Sequence, residues 1–144
     1  MGGKKLSGSA PSVLANLLSL QKLIILNNDY TFDGMETLIN NNFKVFRYFS
    51  QKQIYIHQNN NTLSVYAGGT LSNNKYKWYK DGILVATKHG DSTFTPTAGG
   101  AYNVEVTNAV ATKLTLYSDT ITISTSGIQQ TDISSIQLIN KNNF

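Results

Sequence analysis

The chain has 144 residues, a formal net charge of +4, 40% hydrophobic residues and only 14% charged ones. That length suits one compact domain, or a small domain beside part of another, and the weak charge excludes a charged disordered tail and a coiled coil. The absence of cysteine removes a disulfide framework, a thiolate zinc site and a cysteine nucleophile.

Residues 1–12 open with MGGKKLSGSA and read as a flexible leader. The apolar run from Val13 to Leu26 is interrupted by Asn16, Ser19, Gln21 and Lys22, unlike a signal-peptide core. It also falls short of the roughly 20 apolar residues a membrane helix needs. Leu20, Leu23, Ile25, Asn28 and Tyr30 follow L-x-x-L-x-L-x-x-N-x-φ, with φ a bulky apolar residue, the core of a leucine-rich repeat. In that arrangement Leu23 and Ile25 face inward from a short strand, and the Asn28 amide satisfies backbone groups at a turn. Leu14, Leu17, Leu18 and Leu20 also fit one face of an amphipathic helix over Val13–Leu26; the β-branched pair Ile24-Ile25 and the double Asn stop favour the repeat.

One full repeat is visible, too little to stand alone, so residues 13–49 are expected to be the truncated end of a solenoid with its cap. Asp33 is expected to N-cap a short helix carrying Met35, Leu38 and Ile39, stopped by Asn40–Asn42. The aromatic stretch Phe43–Phe49 is expected to cover the open end of that layer.

From Gln53 the apolar period becomes two. Strands are expected at Gln53–His57, Thr62–Ala67, Lys75–Lys80, Ile83–Thr87, Ser92–Thr95, Ala101–Thr107 and Lys113–Ser124, the last broken near Tyr117–Asp119. Asp81-Gly82, between two apolar runs, is the strongest hairpin signal in the chain. Gly68-Gly69, Asn73-Asn74, His89-Gly90 and Gly99-Gly100 mark further turns. Seven short strands over residues 50–124 predict a Greek-key β-sandwich, followed by a linker or the start of another module over 125–144.

Tyr76-Lys77-Trp78-Tyr79-Lys80-Asp81-Gly82 and Thr95-Pro96-Thr97-Ala98-Gly99-Gly100-Ala101-Tyr102-Asn103-Val104 carry a resemblance to bacterial immunoglobulin-like domains. The resemblance implies that Trp78 is the core tryptophan, that Tyr102 is the corner tyrosine, and that Val65 and Val104 stand where the family's disulfide falls. The order of repeat, cap and sandwich resembles large bacterial surface proteins in which leucine-rich repeats run into immunoglobulin-like domains. The fold expected is therefore mainly β: an immunoglobulin-like β-sandwich preceded by a truncated leucine-rich-repeat turn and cap.

No catalytic constellation is visible, and no cofactor is expected. His57 and His89 lack metal-ligand spacing, and Asp29 with Asp33 lacks the oxygen density of a calcium loop. Lys75, Lys77 and Lys80 lie near Tyr76 and Tyr79, as in a nucleic-acid surface, but the alternation reads as core-in, solvent-out. Asn60-Asn61-Thr62 has the form of a glycosylation sequon. The expected role is a non-catalytic extracellular interaction, adhesion or spacer module whose partner is a protein or glycan surface, with neither nucleic-acid binding nor membrane insertion. Its expected binding loops carry Thr70, Asn73, Asn74, Asn108 and Thr112. The alternative is a carbohydrate-binding accessory domain of a secreted hydrolase, with Tyr55, Tyr66 or Tyr79 as a stacking platform.

Overall fold

The computed structural model describes residues 5–17, 19–41, 43–51 and 53–124, so the stretch 125–144 expected to be a linker lies outside the described residues. The protein is mainly β.

The N-terminal unit contains β1 (Ser7–Gly8), a 3₁₀ turn (Ser12–Asn16), β2 (Lys22–Ile24), β3 (Asp29–Tyr30), the helix α1 (Met35–Ile39) and β4 (Val45–Arg47). Its strands pair in parallel at a nearly constant offset. Ser7 pairs with Asp29, 22 residues on, and Lys22 with Val45, 23 residues on. The chain thus winds through two stacked turns, and two expectations need correction.

Residues 1–12 do not form a free leader throughout. Ser7 and Gly8 lie in a ladder, and Ala10, 1% exposed, donates its N–H to the Asp33 carbonyl at 2.8 Å. Within 13–26 the described residues form a 3₁₀ turn and then a strand at Lys22–Ile24, where the favoured reading placed one, and not the amphipathic helix weighed against it. Phe43–Phe49 is no lid, because it contains the strand of the second turn: Phe46 stands opposite Leu23, and its ring lies 4.7 Å from that of Tyr48.

Side-chain amides seam the two turns. Asn28 accepts from the Leu6 N–H through Oδ1 at 3.0 Å and donates to the Leu26 carbonyl at 3.1 Å. Gln51 does the same work one turn later. It donates to the carbonyls of Ile25 and Tyr48 at 2.8 and 2.9 Å and accepts from the Tyr30 N–H at 3.1 Å. A carboxamide suits both places because it donates and accepts at once.

The second unit has two sheets. One contains β5 (Ile56–Asn59), β6 (Thr62–Val65) and β9 (Thr93–Phe94), in the order β5-β6-β9. The other contains β7 (Asn74–Lys80), β8 (Ile83–His89), β10 (Gly100–Asn108), β11 (Thr115–Tyr117) and β12 (Ile121–Ile123). Its order is β11-β10-β7-β8, with β12 also on β10. Alternate residues of β7 and β10 point inward: Tyr76, Trp78, Tyr102, Val104 and Val106 are buried with Leu63 and Val65 of the smaller sheet. The Trp78 indole is fully buried and stacks on Phe94 at 5.3 Å, which ties the two sheets together. Tyr102 donates its hydroxyl to the Ala98 carbonyl at 2.7 Å, closing the turn into its own strand.

Five of the expected strands are found with their ends shifted by one or two residues, and the first and last differ in their pairing. The first pairs only from Ile56, because Ile54 bridges instead to Ser118, between β11 and β12. Asp119 steers that change of sheet: its N–H donates to the Ile54 carbonyl at 2.9 Å, and its Oδ1 accepts from the Ile56 N–H at 2.8 Å. The last strand divides into β11 and β12 at the expected break. There the Ser118 N–H donates to the Val104 carbonyl, while its hydroxyl oxygen accepts from the Val104 N–H at 2.8 Å.

Candidate functional site

Two carboxylates carried by the N-terminal unit converge on the loop leaving β6. Phe32 begins the contact by donating its N–H to the Ala67 carbonyl at 2.8 Å. Asp33 Oδ1 accepts from the Gly69 N–H at 2.9 Å, and Oδ2 accepts from the hydroxyls of Tyr66 and Thr31 at 2.6 and 3.2 Å. The expected N-cap role of Asp33 is therefore corrected. Gly34, with φ of 74°, occupies that position without a side-chain cap, because both Asp33 oxygens are committed elsewhere.

Glu36, one residue into α1, takes the other side of the loop. Its Oε1 accepts from the Thr70 N–H at 3.0 Å and the Asn108 amide at 2.7 Å, and its Oε2 accepts from the Thr70 hydroxyl at 2.6 Å. Burial alone would raise the Glu36 pKa. The bonds from Thr70, Asn108 and Asn73 outweigh burial and hold the carboxyl below its ordinary value.

Behind this contact lies a buried amide pair. Asn74 donates to the Gly68 carbonyl at 2.8 Å, and Asn108 donates to Asn74 Oδ1 at 2.9 Å. Asn108 Oδ1 in turn accepts from the Val110 and Ala111 N–H groups, each at 2.8 Å, so the pair fixes two loops together. Gly68 and Gly69 both adopt φ of 70°. A Cβ on Gly68 would fall 2.6 Å from Thr31 Oγ1, and one on Gly69 would fall 2.8 Å from Phe32 Cβ. The double glycine lets the two backbones approach this closely.

The residues expected to form binding loops consequently lie in a joint. Thr70, Asn73 and Asn108 bond to Glu36, Asn74 and Asn108 are buried, and Thr112 alone of the five is an exposed residue outside this network. Placing those loops on a free end of the sandwich is corrected accordingly: that end meets the N-terminal unit. The role of Asp33 and Glu36 is not visible in sequence, since the partners they reach across the joint lie more than thirty residues away.

Beside the joint is a cleft of about 300 Å³, lined by residues of both units, Asp29 and Thr31 from one and Gln53, Tyr55, His57 and Tyr66 from the other among them. Tyr55 and Tyr66 are 53% and 66% exposed. Tyr55 immediately precedes Ile56 and Tyr66 immediately follows Val65, the residues that pair at this end of the antiparallel β5–β6 ladder. Both stand on the outer side, opposite the inward-facing Ile56 and Val65. Tyr79, the third platform candidate, lies elsewhere, half-buried on the larger sheet with its hydroxyl 3.4 Å from Glu105.

His57 and His89 fall on different sheets, and among the described residues no three His, Asp or Glu side chains gather as a metal site. Among those residues, no helix is long and apolar enough to cross a membrane. Comparison with known proteins gave no matching family model, curated protein or solved structure.

Proposed function

We propose that the chain is a non-catalytic interaction or spacer module of a bacterial surface protein, in which the end of a leucine-rich solenoid is joined rigidly to an immunoglobulin-like sandwich. The joint carries this reading. Asp33 and Glu36 bond the second turn of the N-terminal unit to the loop Gly68–Thr70 and to Asn108, so the two units are held in one orientation. A rigid connection is what a stalk or a displayed binding surface requires. The parallel offset of 22 and 23 residues and the amide seam of Asn28 and Gln51 support the solenoid assignment. The sheet order, the buried Trp78 and the Tyr102 hydroxyl bond support the immunoglobulin-like one.

Small-angle X-ray scattering of the full chain tests the joint. The wild type is expected to fit a single fixed arrangement of the two units, and the double variant Asp33→Ala/Glu36→Ala a broader distribution of distances. Equal breadth in both proteins would refute the rigid module.

A second reading, carbohydrate binding, is favoured by one observation: two solvent-facing tyrosines share the cleft beside the joint.

A further inference from the structure

We propose that the cleft of Tyr55 and Tyr66 binds a neutral sugar ring, with the tyrosine faces as its floor and Asp29, Thr31, Gln53 and His57 as its polar rim. This deepens the carbohydrate-binding reading and rests on it.

The chemistry of the lining selects the ligand class. A tyrosine ring offers an electron-rich apolar face. A pyranose complements that face with a patch of C–H groups on one side and hydroxyls around its edge. The rim supplies carboxylate, hydroxyl, amide and imidazole groups, a mixture of donors and acceptors suited to hydroxyls. Among the described residues that line the cleft none is Lys or Arg, so these residues offer no cation of the kind a phosphorylated sugar or nucleotide would need. Its volume of about 300 Å³ sits at the lower end of small-molecule sites, with room for a single ring rather than an enclosed chain.

The platform is also held in place. The Tyr66 hydroxyl donates to Asp33 at 2.6 Å, and Asp33 is itself fixed by Gly69 and Thr31. The bond to Asp33, with burial and the carboxylate's charge adding to it, raises the phenol above its ordinary pKa of 10.0, so Tyr66 stays protonated and tethered. Tyr66 therefore presents its ring without first losing side-chain freedom, which lowers the cost of binding. The joint between the units thus serves the cleft as well: it fixes one wall of the site.

Two-dimensional NMR titration of the ¹⁵N-labelled full chain with cellohexaose, maltohexaose, mannohexaose and xylohexaose tests the proposal. At least one probe is expected to shift the amides of residues 55–57 and 66. Tyr55→Ala and Tyr66→Ala should each weaken binding about tenfold or more, and Tyr66→Phe, which keeps the ring but frees it from Asp33, by less. Trp78 fluorescence should stay unchanged in each variant, and the melting temperature should stay unchanged in Tyr55→Ala and fall no further in Tyr66→Ala than in Tyr66→Phe, which loses the same bond to Asp33. If a probe binds but shifts amides elsewhere and survives both alanine variants, the cleft assignment is wrong while the carbohydrate reading stands. If no probe produces shifts, both are overturned, and the rigid module remains to be judged by scattering.

Discussion

Trp78 shows how much one side chain carries. Its indole is fully buried, stacks on Phe94 and touches the core from the larger sheet, while its Nε1 is buried with no hydrogen-bond partner. The site is therefore held by packing, and replacing so large a group leaves a cavity the neighbours cannot fill. Trp78→Ala is expected to cost about 3–5 kcal/mol in urea unfolding, most of a small domain's stability. An unchanged midpoint would place the indole outside the core. A titratable contribution sits at Asp91, whose carboxylate accepts from Lys88 at 2.6 Å and from Thr93, lowering its pKa from 3.8 to about 2. A depressed folded pKa stabilises the protein above 3.8, and that stabilisation disappears as pH falls towards 2. The side chain is 46% exposed, so solvent screening keeps the effect small. Asp91→Asn should lower the urea midpoint slightly at neutral pH, with the difference from wild type vanishing in strong acid; a constant difference would show that Asp91 acts through packing.

Elements differ in how openly the sequence declares them. The hairpin at Asp81-Gly82 is written in its turn chemistry, and the backbone adopts φ of 50° and 80° at those residues, a two-residue turn between paired Lys80 and Ile83. Gly82 has open space where a Cβ would go, so a substitution there isolates the conformational term. Gly82→Ala is expected to cost about 1–2 kcal/mol in thermal or urea unfolding; no loss would mean the turn relaxes to another type. The alternation in β7 and β10 was legible for the same reason, since Tyr76 and Trp78, then Tyr102, Val104 and Val106, are large apolar residues at period two. The second turn of the N-terminal unit was not. It places Phe46, Tyr48 and Gln51 where the first has Leu23, Ile25 and Asn28, so the motif is absent although parallel pairing and amide seam recur. The change of sheet between Ile54 and Ile56 was equally hidden, because Asp119, which directs it, lies over sixty residues away.

At the scale of the molecule, the joint makes one object of two elements that are each small. The N-terminal unit of two turns buries little surface alone. Its Phe32, Met35 and Leu38 are nevertheless fully buried, and it borrows order from the loop Gly68–Thr70 through Asp33 and Glu36. The sequence revealed Gly68-Gly69 as a turn but not as the place where two backbones meet, because that contact depends on how the units dock. The same docking moved Thr70, Asn74 and Asn108 from a free surface into the joint and left Tyr55 and Tyr66 facing solvent. Dependence of the N-terminal unit on the joint is best read by native-state hydrogen exchange in the wild type and in Asp33→Ala/Glu36→Ala. Amides of β2 and β4 are expected to lose most of their protection in the double variant while those of β7 and β10 keep theirs. Undiminished protection in β2 and β4 would mean that the N-terminal unit folds without its neighbour, contradicting a rigid module held together by these two carboxylates.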